Sequence, residues 1–107
     1  MTQNTSFKRS SDSVIQFITQ KSSEQPQIER VILFGSRARG DQQDRSDYDL
    51  AVIAPQLDDS DWARWADDVR ENVPSLCGID LIRLTPQTSQ ALTEKIKLEG
   101  KEIYVRQ

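Results

Sequence analysis

Apolar and polar positions along this chain change period several times, and each change marks an element. Between Asp12 and Lys21, Val14, Ile15, Phe17 and Ile18 fall mostly on one helical stripe, with Ser11 or Asp12 in place as N-cap. Ser22 to Gln27 reads as a polar linker carrying Pro26. Val31 to Phe34 is apolar on both faces, as in a covered central strand, and Tyr48 to Ala54 repeats that pattern before Pro55. From Asp58 to Val73, Trp62, Trp65, Ala66 and Val69 recur at helical spacing, behind three early aspartates that suit the positive end of a helix. The two tryptophans read as core anchors, and Pro74 stops the helix. Cys77 to Leu84 predicts a third strand, and Thr85-Pro86 an N-cap and first position for a last helix carrying Ala91, Leu92 and Ile96. That helix ends at Gly100, a natural residue just past a helix, and "EIYVR" predicts a short final strand. The pattern predicts an α/β (α+β) domain with one small mixed sheet flanked by helices.

Composition narrows what such a domain can do. At 107 residues the chain has room for one core, so residues 1–107 are expected to form a single domain, with a core at about 28–105 and an N-terminal helix at about 12–22. A charged fraction of 29% and a net charge of -3 place it among ordinary globular proteins. No stretch nears the ~18 apolar residues of a spanning helix. The start "MTQNTSFKRSSDS" lacks a signal-peptide core, so a cytoplasmic location without a membrane partner is expected. With one cysteine, Cys77, and no histidine, an internal disulfide and a Cys/His zinc site are excluded. A bound metal would need oxygen ligands, which points to a hard ion such as magnesium. The mild acidity offers no basic face for direct nucleic-acid binding.

The chemistry concentrates in "VILFGSRARGDQQDRSDYDLAVI", Val31 to Ile53, where three arginines and four aspartates stand between two apolar runs. Residues two apart in a strand share a face, so Asp47 and Asp49 project together while Tyr48 turns away. Such a pair repels itself unless protons or a cation intervene, or else it is a solvated loop cap. Gly35 and Ser36 end the preceding strand: glycine lets backbone approach a ligand, and serine at a helical turn offers a hydroxyl and N–H groups to a phosphate. Alone, Gly-Ser is also an ordinary turn. Ten residues separate it from Asp-x-Asp, so a phosphate cradle would face a metal-binding pair. Asp80 interrupts an apolar strand, where a buried carboxylate must be paired or ligate a metal. It either bonds Arg83 or the backbone, or, if its strand lies beside that of Asp49, joins Asp47 and Asp49 around two divalent ions.

"GSRARGDQQDRSDYDL" resembles the signature of minimal nucleotidyltransferase domains of the polymerase-β-like superfamily, and "EGKEIYVR" is similar to their closing strand. The resemblance runs from about Ile28 to Val105 and implies a polymerase-β palm-like nucleotidyltransferase fold. It implies that Gly35 and Ser36 bind the triphosphate of ATP, with Arg37 and Arg39 near the phosphates or merely solvated. It implies also that Asp47, Asp49 and Asp80 are the catalytic, magnesium-holding carboxylates, Asp80 helping to activate the attacking hydroxyl. Larger relatives carry a further domain for the acceptor. None is expected in a chain this short, so the acceptor is expected on another molecule, a protein rather than RNA or DNA. Stand-alone domains of this kind are similar to antitoxins paired with HEPN ribonuclease toxins. That likeness implies Mg-dependent transfer of AMP from ATP to a tyrosine hydroxyl of the cognate toxin. Stoichiometric binding without catalysis, or a small-molecule acceptor at a dimer interface, are the alternatives.

Overall fold

The computed structural model describes residues 12–107, so Ser11 lies outside the described residues. Asp12 fixes the start of the first helix, α1 (Ser13–Glu24), its Oδ1 accepting from the N–H groups of Val14 and Ile15 at 2.8 and 3.2 Å. The helix runs a turn further than its apolar stripe, so Ser22 to Glu24 are helical rather than linker. Ser22 is accommodated because its hydroxyl donates to Ile18 O at 2.7 Å inside the core, and Gln25, just before Pro26, is forced into extended backbone.

The chain then forms β1 (Arg30–Phe34), one helical turn α2 (Ser36–Arg39), β2 (Tyr48–Ile53), α3 (Asp59–Asn72), β3 (Ile79–Arg83), α4 (Gln90–Glu99) and β4 (Lys101–Val105). Thr85-Pro86 does not start α4. Thr85 Oγ1 accepts from Gln87 N at 3.1 Å in a local turn, and the cap passes to Ser89, which accepts from Leu92 N at 3.2 Å. Gly100 does follow α4, but in extended backbone. Space demands it, since a Cβ there would lie 2.4 Å from Ile96 O and 2.5 Å from Ile32 Cγ2.

The four strands make one mixed sheet in the order β3-β2-β1-β4. β1 pairs antiparallel with β2 and β4, while β2 and β3 are parallel, joined by the α3 crossover. The end of β1 and the starts of β2, β3 and β4 therefore all meet at one end of the sheet. Alternation divides the apolar residues into two layers. Val31, Leu33, Leu50, Val52 and Leu81 pack with Val14 and Ile18 of α1 and Trp65, Ala66 and Val69 of α3. On the other face Phe34 and Ala51 meet Ile96 of α4, with Ile32, Ile82 and Leu92 around them. Leu50, Ala51 and Val52 are all buried, as the unbroken apolar run of a central strand requires. Each fully buried Val, Ile or Leu contributes about 1.5–3 kcal/mol relative to exposure.

Polar contacts lock the α1 layer to the sheet. Tyr48 donates its hydroxyl to Asp12 Oδ2 at 2.8 Å, and burial, with that carboxylate, pushes the phenol up to about 12. Trp65 Nε1 donates to Lys21 O at 3.1 Å, tying α3 to α1. Arg106 reaches back from the C-terminal end to the carbonyls of Ile28, Ser22 and Gln25 at 2.9, 3.0 and 2.9 Å. Among the described residues no helix is long and apolar enough to cross a membrane.

Asp12 both caps α1 and holds Tyr48, so Asp12→Ala should lose about 2 kcal/mol of stability. Tyr48→Phe, which keeps the cap, should lose about 1 kcal/mol. Urea unfolding of the three proteins checks this, and equal midpoints would show that the contact does not support the fold.

Candidate active site

The site lies where the four strand ends meet. Antiparallel register sets Phe34 opposite Asp49, so the residue after β1, Gly35, comes down beside the Asp49 carboxylate. Gly35 has φ 77°, a left-handed value that favours glycine, and a Cβ there would fall 2.2 Å from Asp49 Oδ2. Only a residue without a side chain lets the carboxylate sit against the backbone here. Ser36 follows at the first position of α2, half-buried.

The parallel register brings in the third carboxylate, because Asp49 and Asp80 are Cα partners on neighbouring strands. Asp80 is exposed rather than buried, since β3 is an edge strand and its flank is open. Arg83 does not pair with it. That guanidinium donates to Leu57 O at 3.0 Å, bonds Asp59 and stands over the Trp62 ring.

Asp47 stands one residue before β2, so strand alternation alone does not aim it. A second glycine does. Gly78 donates its N–H to Asp47 Oδ1 at 3.2 Å, and a Cβ on Gly78 would come within 2.6 Å of the same oxygen. Gly78 carried no signal among the motif residues, because its partner lies 31 positions away.

Burial raises the Asp49 carboxyl above the ordinary aspartate value of 3.8, and the charges of Asp80 and Asp47 raise it further against Lys95 and Arg39. The three aspartates are thus close enough for Asp49 to feel both neighbours. No group of three or more acidic or cysteine side chains among the described residues is already gathered as a metal cage. Their oxygen donors fit a hard divalent ion, and mutual repulsion is what such an ion relieves. Asp47, Asp49 and Asp80 are the residues that could hold one.

The arginines separate. Arg37 stacks over the Tyr48 ring with its guanidinium carbon 4.0 Å from the centroid and donates from Nε to Ser46 O at 2.9 Å. It also donates to Asp44 O at 3.3 Å, so it braces the loop on the α1 face, opposite the Asp49 face. Arg39 lies on the carboxylate side, 3.1 Å from both Asp41 Oδ2 and Glu99 Oε1. Glu99 and Lys95, four residues apart on α4, border the site and were not singled out by the loop motif. Their helical spacing was the available signal.

The family model described as "Polymerase beta, Nucleotidyltransferase" matches residues 16–107. The chain belongs to this family. No curated protein matches it. Among solved structures it is similar to one described as "the toxin-antitoxin with AMP-PNP", at 26% identity over 87% of this chain and 74% of that one, with a TM-score of 0.68. A second, described as "the toxin-antitoxin MntA-HepT", is 22% identical over 86% of this chain and 70% of that one, with a TM-score of 0.62. A third, from Shewanella oneidensis, is 16% identical over 91% and 74%, with a TM-score of 0.65. The last two likenesses show the fold alone. The four-stranded sheet here is the platform of a nucleotidyltransferase domain.

The sign of the Asp49 shift gives a pH test. The folded chain holds this proton more readily than the unfolded chain. The residue therefore favours folding below the usual value of 3.8, and that contribution is lost as pH rises through the raised folded value. Asp49→Asn should melt higher than the nucleotide-free wild type near neutral pH, with an advantage that shrinks on acidification. Paired thermal melts across that range check it; a constant or negative difference would show that Asp49 is not held under repulsion.

Proposed function

We propose that this chain is a cytoplasmic antitoxin that transfers AMP from ATP to a tyrosine hydroxyl of a cognate HEPN ribonuclease toxin, releasing pyrophosphate and neutralising the toxin. The observation that carries the reading is the Asp49 carboxylate seated against Gly35 with Asp80 in register beside it. Membership of the nucleotidyltransferase family supplies the reaction class. Similarity to a toxin-antitoxin structure described with AMP-PNP supports both the triphosphate and the partner.

In this reading Gly35 and Ser36 receive the triphosphate with Arg39 beside them, while Arg37 keeps the loop in shape from the far face. The tyrosine oxygen attacks the α-phosphorus, the bond from that phosphorus to the bridging oxygen breaks, and pyrophosphate leaves with the electron pair. Asp80 accepts the hydroxyl proton as the new bond forms. Its exposure on an edge strand suits an acceptor that arrives on another protein. Two magnesium ions held by Asp47, Asp49 and Asp80 would neutralise the triphosphate and the departing pyrophosphate. The chain's own contribution is positioning and fixed electrostatics.

Incubating the purified chain with labelled ATP, magnesium and the toxin encoded beside it should transfer label to that toxin. Asp49→Asn should lower the rate by at least about a hundredfold while still forming the complex. An unlabelled toxin with wild type, or equal labelling by the variant, would overturn the catalytic reading. Neutralisation that persists in the variant would instead identify stoichiometric binding.

A further inference from the structure

The donors that would meet a triphosphate at Gly35 are already engaged. Glu99 Oε1 accepts from Gly35 N at 3.1 Å and lies 3.1 Å from Arg39 Nη1. One carboxylate oxygen thus receives a backbone N–H and a guanidinium at once, the pairing that a phosphate oxygen would take there. Its position is built rather than incidental. Glu99 is the last residue of α4, Ile96 one turn earlier is buried against Phe34 and Ala51, and Gly100 brings the chain tight against the Ile96 carbonyl. The Glu99 side chain is only 21% exposed. It is therefore shielded more than a solvated ion pair would be. β4 then leaves directly from Gly100 and pairs Lys101 with Leu33, two residues before Gly35, which fixes the end of α4 beside the loop.

We propose that Glu99 is an internal competitor for the nucleotide. In the nucleotide-free chain its carboxylate occupies the position of a phosphate oxygen at Gly35 and Arg39. ATP must displace it, so Glu99 sets nucleotide affinity and does not act in the transfer step. This rests on the reading of the Gly35 loop as a triphosphate site. The same contact explains how Gly35, a buried residue, keeps its N–H satisfied before the nucleotide arrives. Glutamate serves both roles only because α4 ends where β1 ends.

Equilibrium binding of ATP without magnesium, measured by calorimetry on the whole chain, tests the idea separately from catalysis. Glu99→Gln keeps an acceptor for Gly35 but removes the charge, and should bind ATP about three to ten times more tightly. Glu99→Ala should shift in the same direction, which keeps the test intact if one variant folds poorly. In turnover the gain appears in KM rather than kcat. In an Arg39→Gln background the gain from Glu99→Gln should be smaller, because there is no guanidinium left to release. A purely structural Glu99 would lower the melting temperature and weaken binding. ATP binding by a well-folded Glu99→Gln that is equal to or weaker than wild type overturns the proposal. ATP binding by neither well-folded protein overturns the triphosphate reading along with it, whereas wild-type binding without the predicted gain overturns the proposal alone.

Discussion

The register of β1 against β2 is the constraint on which the site depends. Setting Phe34 opposite Asp49 places the glycine that follows β1 against a carboxylate near the start of β2. A shift of one residue would turn Asp49 to the α1 layer and Leu50 to the α4 layer, burying a charge among Val14, Ile18 and Val69. Register is therefore held by the hydrophobic pattern of the whole strand. The geometry of the charged end follows from the apolar middle.

That rigid middle lets the sheet tolerate a repulsive end. Asp49 is partly buried between two other aspartates, an arrangement that raises its carboxyl and opposes folding near neutrality. Leu50, Ala51 and Val52, buried on both faces, hold the strand in place against it. Glycines absorb the steric side of the same crowding, Gly35 under Asp49 and Gly78 under Asp47. The rest of the fold offsets this local destabilisation.

The two faces of the sheet divide the polar work. On the α1 face, Asp12, Tyr48 and Arg37 join the first helix, the second strand and the glycine loop, and Arg106 closes the sheet's far end onto the α1–β1 connection. On the α4 face, Lys95, Glu99 and Arg39 surround the carboxylates. Arg37 and Arg39 are two positions apart in the sequence, yet one braces and the other faces the site. A four-residue helical turn sends alternate side chains to different sides, which no count of loop charges reveals.

Much of this was legible in the chain itself. The apolar runs around Leu33 and Leu50, the tryptophan stripe of α3 and the stop at Gly100 specify elements because burial and backbone freedom are local properties. The pairing of Gly-Ser with Asp-x-Asp likewise marked the loop. Thr85-Pro86 misled because a threonine hydroxyl satisfies a turn as readily as a helix end, and Ser89 competed for α4. Asp80 read as buried because its neighbours are apolar, whereas burial depends on whether the strand is central or at an edge. Gly78 and Glu99 were silent because their partners lie 31 and 64 positions away. The sequence by itself determined the elements, the buried faces and the acidic chemistry, since these follow from each residue's own side chain and its near neighbours. Tertiary structure alone decided which charges meet, because strand order and register bring distant residues within hydrogen-bond reach while turning adjacent ones apart.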